Sequence, residues 1–153
     1  MLHLWRISNH SSLSGEGGLR YSARWHTAGS RIVYLAESPA GALIEVLVHL
    51  ELEESELPSF YKLIRVAVPV NIAIETLHVP DGDDWKQSSA VTRSLGNRWL
   101  QAKRSVLARV PSAIVPDTWN YLFNPEHPHA DQIRIEEIKQ AEFDPRLLRK
   151  MRE

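Results

Sequence analysis

The chain has 153 residues, 43% of them hydrophobic, with five Trp, no Cys and a formal charge of −1. That length suits one domain with a sizeable core, and the balanced charge supplies no general field for nucleic acid or an anionic membrane. The absence of cysteine excludes a disulfide framework, a thiolate zinc site and a cysteine nucleophile, and it suits a reducing cytosol.

The opening "MLHLWRISNH" lacks the basic start and long apolar stretch of a signal peptide. No apolar run approaches the ~20 residues needed to cross a bilayer. The expectation is a soluble cytoplasmic domain over residues 1–153. "LHLWRIS" alternates well enough for a first strand, and "NHSSLSGEGGLRYS" (9–22) reads as a Gly/Ser-rich functional loop. "RIVYLAE" (31–37) is a strand with Ile32 and Tyr34 on one face and Val33 and Leu35 on the other. Ser38 as N-cap and Pro39 at the first helical position start a helix. It runs through "ALIEVLVHLEL" and dissolves in the acidic stretch 51–58.

"FYKLIRVAVPV" (60–70) reads as a strand limited by Pro69. Trp85–Ala102 carries a helical signal broken at Gly96, with Asn97 capping a second short helix. "SVLARVPSAIVP" gives two short strands pivoting near Pro111, and "DTWNYLFNPEHPHAD" reads as a loop. "IRIEEIK" is a late strand and "DPRLL" a terminal helical turn. Strands and helices without regular βαβ alternation point to α+β, a small twisted mixed or antiparallel sheet with flanking helices.

The helix after Ser38 is nearly all apolar. Leu43, Val46, Leu47 and Leu50 form one stripe, while Gly41, Ile44, Glu45 and Val48 lie opposite, beside Ala42 and His49. A helix apolar all round is expected to be buried all round, which places Glu45 in a low dielectric with its pKa raised. A carboxylate there needs a cation or several donors, and Arg6, Arg20, Arg24 and Arg31 lie upstream. A structural Arg–Glu pair and a cleft that takes a polar, partly anionic substrate both satisfy this pattern. "SGEGG" has no dinucleotide-binding spacing, and "HPHAD" matches no recognised zinc spacing, so no metal is expected.

Three blocks together, "ARWHTAGSRIVYLAESPAGALIEVLVH", "VPSAIVP" and "NYLFNPEHP", resemble the RES domain, the toxin half of RES–Xre toxin–antitoxin pairs. The family's Arg, Glu and Ser fall on Arg24, Glu45 and Ser112. The resemblance implies an ADP-ribosyltransferase-related fold and cleavage of the nicotinamide–ribose bond of NAD, by hydrolysis or phosphorolysis. It implies NAD as substrate rather than resident cofactor, and an Xre-like helix-turn-helix antitoxin that blocks the cleft. On that pattern Glu45 stabilises the developing positive charge on the ribose. Arg24 and Arg6 hold the pyrophosphate, and Tyr34 sits beside the nicotinamide or orients Glu45. Ser112 forms hydrogen bonds rather than attacking. His49, Asn120 and Asn124 support or line the cleft. A homodimer within the complex is open. So are a protein ADP-ribosyltransferase, a ribonuclease built on Glu45, His49 and Arg24, and a non-catalytic interaction module.

Overall fold

The computed structural model describes residues 1–49 and 59–150, with side chains to residue 147. Its centre is a seven-stranded sheet in the order β4-β5-β6-β2-β1-β3-β7. The strands are β1 (Leu2–Ile7), β2 (Val33–Ala36), β3 (Phe60–Val68), β4 (Ile74–Thr76), β5 (Leu107–Pro111), β6 (Trp119–Phe123) and β7 (Arg134–Glu142). The helices are α1 (Gly17–Arg20), α2 (Pro39–His49), α3 (Ser89–Ala102) and α4 (Pro145–Lys150). Neighbouring strands are antiparallel except β4 and β5, which run parallel. The architecture is the expected α+β.

Side-chain alternation divides the core between the two sheet faces. One face carries Leu4, Val33, Leu35, Ile64, Val66, Leu107, Tyr121 and Phe123 in a single cluster. The other gathers Trp25, Ile32, Trp85, Trp99, Leu100, Ala108, Val110 and Leu122, with Tyr34 packed against them. The faces expected for residues 32–35 are thus the observed ones.

Two expectations fail for identifiable reasons. β6 sits in the middle of the sheet, paired with β2 and β5, although its residues read as loop. Asn120, Asn124 and the nearby prolines suggest turns, but "WNYLF" is a β-favouring aromatic run, and both its neighbours cover it. Conversely, only one strand forms across 105–116, because residues 112–118 make a turn in which the Ser112 amide donates to the Thr118 carbonyl at 2.9 Å. β4 has no counterpart among the expected strands.

Helix α3 is unbroken from Ser89 to Ala102, preceded by a 3₁₀ turn over Asp84–Gln87. Gly96 stands mid-helix for clearance, not as a breaker. The Trp25 carbonyl approaches its Cα so closely that a Cβ there would overlap the oxygen. On the same α3 face, Thr92 Oγ1 donates to the Arg24 carbonyl, and Arg93 Nε donates to the Ala23 carbonyl at 2.7 Å. Asn97 accepts from the Thr27 amide and donates to the Thr27 hydroxyl, each at 3.0 Å. One turn and a half of helix therefore fixes the backbone of residues 23–27.

At the sheet edge, β7 is heavily charged, with Glu136 paired to His3 and Arg65, and Glu137 paired to Arg65 and Lys139. Such an edge resists casual pairing with another chain. The acidic stretch 51–58 lies outside the described residues, so the expected fraying of α2 does too. No helix among the described residues is long and apolar enough to cross a membrane.

Replacing Gly96 by Ala should push α3 off the 23–27 backbone. Overpacking of this kind costs about 1–3 kcal/mol, so the thermal midpoint should drop by several degrees with altered near-UV dichroism from Trp25 and Trp99. An unchanged midpoint and spectrum would show that the contact relaxes freely.

Candidate active site

The sheet is almost split down its middle. β1 and β2 are joined by a single register pair, Trp5 with Ala36, while β1 makes six pairs with β3 and β2 makes four with β6. Beyond that pair, Arg6 and Ile7 on one side and Val33 to Leu35 on the other flank a gap. The gap opens into a cleft of about 600 Å³, a volume typical of small-molecule sites. α2 walls it with Glu45, Val46, Val48 and His49, the glycine loop with Gly15 and Gly17, and the α3-held segment with Arg24, Trp25 and His26.

α2 starts as the sequence suggests. Ser38 Oγ accepts from the Gly41 amide at 3.0 Å, and the Ser38 carbonyl accepts from the Ala42 amide at 3.0 Å. The helix is not buried all round, however. Ala42 and Leu47 are its buried residues, whereas Val48 is 52% exposed and Ile44 37%. Val46 and Val48 line the open cleft instead of the core. Glu45 keeps 31% of its side-chain surface exposed, so the desolvated carboxyl expected from helix composition is instead a group at a cleft wall.

Nor, among the described residues, does an arginine pair with Glu45. Its Oε1 accepts from Asn120 Nδ2 at 2.8 Å, and its Oε2 lies 3.8 Å from Nε2 of His49, a side chain 76% exposed. Asn120 reaches it because β6 pairs with β2 at Ala36, beside the sheet's split. A neutral amide thus orients the carboxylate without neutralising it.

The arginines do something else. Arg6 Nη1 donates to the Ser12 carbonyl at 2.6 Å, Arg31 Nη1 to the Ser14 carbonyl at 3.0 Å, and Arg24 Nη1 to the Lys86 carbonyl at 2.9 Å. Arg6 and Arg31 thereby staple the loop 9–22 to the sheet. Arg6 and Arg24 also line the cleft, and neither has a carboxylate within ion-pair distance among the described residues. Burial lowers the Arg6 pKa. Half-buried guanidiniums without counter-charges favour an anionic ligand, which they can grip in bidentate fashion.

Tyr34 lies on the cleft floor. Its hydroxyl contacts His26 Nδ1 at 2.7 Å and accepts from the Trp25 amide at 3.2 Å, and does not reach Glu45. Burial pushes the Tyr34 pKa upward, so it stays a phenol. Glu45 is the sole carboxylate lining the cleft among the described residues, against Arg6 and Arg24. Among the described residues the cleft thus holds one negative centre and two positive ones.

The RES domain family model matches residues 3–145. The chain belongs to the RES domain family. It is 47% identical over 133 residues to Toxin Res of Pseudomonas putida, covering 87% of this chain and 91% of that protein. It is 35% identical to the Prs ADP-ribosylating toxin of a Sphingobium species, over 95% of this chain and 96% of the relative. The toxin–antitoxin complex MbcT–MbcA of M. tuberculosis contains a chain of the same fold, with TM-score 0.75, 18% identity and coverage of 99% of this chain and 88% of that one.

Against the RES pattern, the structure brings Arg6, Arg24, Tyr34, Glu45, His49 and Asn120 to one cleft. Ser112 and Asn124 stand apart from it. Ser112 is 6% exposed, and its Oγ accepts from the Ile114 and Val115 amides, each at 3.1 Å. It shapes the turn that carries Ala113 and Ile114 to the cleft rim. Asn124 is buried, donating to the Leu100 carbonyl at 3.2 Å and accepting from the Glu126 amide at 3.0 Å. Among the described residues, no group of three or more His, Cys, Asp or Glu side chains could hold a metal.

Sequence reasoning missed the α3 contacts to residues 23–27. The available signal was the face Thr92, Arg93, Gly96, Asn97, polar at helical spacing with a glycine in its centre.

Replacing Ser112 by Ala removes the acceptor of two amides. Stability should fall by about 1 kcal/mol, and amide exchange at Ile114 and Val115 should accelerate selectively. Unchanged exchange at both amides would mean the turn holds without the hydroxyl.

Proposed function

We propose that this chain is the toxin of a toxin–antitoxin pair and that it destroys NAD by cleaving the bond between nicotinamide and ribose. The observation that carries the reading is, among the described residues, a single cleft carboxylate set against two arginines without an ion-pair partner. Cleaving an ordinary glycosidic bond calls for two carboxyl groups, one to protonate the leaving oxygen. The nicotinamide of NAD leaves as a neutral base. It takes the electron pair of the C–N bond and quenches its own positive charge, so no acid is needed.

What the reaction does need is a negative group beside the ribose carbon as that carbon gains oxocarbenium character. Glu45 takes that role, aimed by Asn120 Nδ2. Arg6 and Arg24 bind the pyrophosphate through the guanidinium N–H groups that their single backbone bonds leave over. The Tyr34 ring forms a wall for the nicotinamide. Water or phosphate then adds to the ribose carbon on the exposed side of the cleft, giving ADP-ribose or its 1″-phosphate.

An Xre-like helix-turn-helix antitoxin is the proposed partner, in the cytoplasm. The cleft rim supports a protein cover, since Tyr21 is 73% exposed, Val48 52% and Ile114 37%. A second reading, transfer of ADP-ribose to a protein acceptor, draws on the 35% identity to a relative named as an ADP-ribosylating toxin.

The test is nicotinamide release from NAD by the purified chain, followed by proton NMR with and without phosphate. Glu45→Gln should lower the rate ~10²–10³-fold, the usual cost of removing one electrostatic transition-state contact. Asn120→Ala should cost about tenfold by misaiming the carboxylate. Wild-type protein that leaves NAD intact in both buffers would sink bulk NAD destruction and turn the search to protein acceptors.

A further inference from the structure

His26 is 1% exposed, and the proposed chemistry makes no use of it. Both of its ring nitrogens are engaged. Nε2 lies 3.2 Å from the Gly18 carbonyl oxygen, and Nδ1 lies 2.7 Å from the Tyr34 hydroxyl. A carbonyl only accepts, and the Tyr21 backbone also acts on the ring, so the Gly18 contact is satisfied when Nε2 carries the proton. In the neutral ring Nδ1 is then an acceptor, and the Tyr34 hydroxyl donates to it.

The second contact of the hydroxyl fixes the remaining choice. The Trp25 amide can only donate, and it does so to the Tyr34 oxygen at 3.2 Å. The phenol proton is therefore committed to His26, and toward anything in the cleft the Tyr34 oxygen can only accept. Burial disfavours the imidazolium and lowers the His26 pKa, which agrees with a neutral ring. Gly18 has no room for a side chain, since a Cβ there would overlap the Ser30 carbonyl and stand 2.9 Å from the Ile32 side chain and 3.2 Å from His26 Nε2.

We propose that His26 is a positioning residue for the cleft. Held as the Nε2–H tautomer by the Gly18 carbonyl, it fixes the Tyr34 ring and turns the phenol proton away from the substrate. The cleft therefore meets an acceptor at Tyr34, not a donor. The function of this arrangement rests on the proposed NAD cleavage, whereas the tautomer itself does not. His26 lines the cleft with 1% of its surface exposed, and it acts through Tyr34.

Two measurements test it. The first is the imidazole ¹⁵N spectrum of the purified chain. It should show His26 protonated at Nε2 with Nδ1 accepting, and in Tyr34→Phe the Nδ1 signal should shift toward that of a free lone pair. A ring protonated at Nδ1 in wild type overturns the proposal. The second is a double-mutant cycle on nicotinamide release. His26→Leu and Tyr34→Phe should each lower kcat about 10- to 100-fold with KM nearly constant, as expected for misplacement of a positioned group. The double variant should be no slower than Tyr34→Phe alone. His26→Asn, which keeps an acceptor near Tyr34, should recover part of the loss. Losses that multiply, or a Tyr34→Phe variant as fast as wild type, overturn the proposal. If wild type releases no nicotinamide, the proposed reaction fails on its own, and the same cycle is read on growth arrest in expressing cells.

Discussion

Helix α3 and the backbone of residues 23–27 meet with no space between them, and the rest of the site is arranged from that contact. Gly96 admits the Trp25 carbonyl, while Thr92, Arg93 and Asn97 satisfy polar groups of Arg24, Ala23 and Thr27. Buried backbone groups in a loop must find partners, and here a single helix face supplies them. The loop thus acquires the rigidity of a regular element without being one. Arg24 leaves it toward the cleft, Trp25 packs under it against Trp85 with ring centroids 6.3 Å apart, and His26 reaches Tyr34 on β2. A site mounted on rigid supports loses less entropy on binding, which suits a pocket that must hold a flexible, charged ligand in one pose.

How much of this was legible in the sequence depends on whether the cause was local. The entry to α2 was legible because Ser38 and Pro39 are cap residues whose chemistry acts within one turn. The faces of β2 were legible because alternation fixes them. β6 was hidden because Asn120 and Asn124 look like turn formers when read alone. Their actual roles, aiming Glu45 and joining the Leu100 carbonyl to the Glu126 amide, depend on partners elsewhere in the chain. Gly96 reads as a helix break for the same reason, since its cause is the Trp25 carbonyl, far upstream in the sequence. The family blocks pointed to Arg24, Tyr34 and Glu45, which do share the cleft. Resemblance could not tell that Ser112 spends its hydroxyl on its own turn.

The burial argument for Glu45 fails in a way that clarifies α2. An all-apolar helix implies cover, but the cover need not come from the same chain. Val48, Tyr21 and Ile114 line the cleft and stay exposed, and Ile44 is exposed on the same helix as Val48. Apolar rims around a polar floor are what a partner-covered site looks like in the free protein.

On the proposed chemistry, the same openness bears on which acceptor captures the ribose. The bond to nicotinamide breaks with help from one fixed charge, and nothing in that step selects the acceptor. Glu45 is held from the sheet side by Asn120 and keeps 31% of its side-chain surface toward solvent, with the exposed His49 3.8 Å from its other oxygen. No second carboxylate among the described cleft residues stands ready to deprotonate an attacking water. An acceptor that needs no strong base, such as phosphate with its own ionised oxygens, is therefore at an advantage over water on this floor.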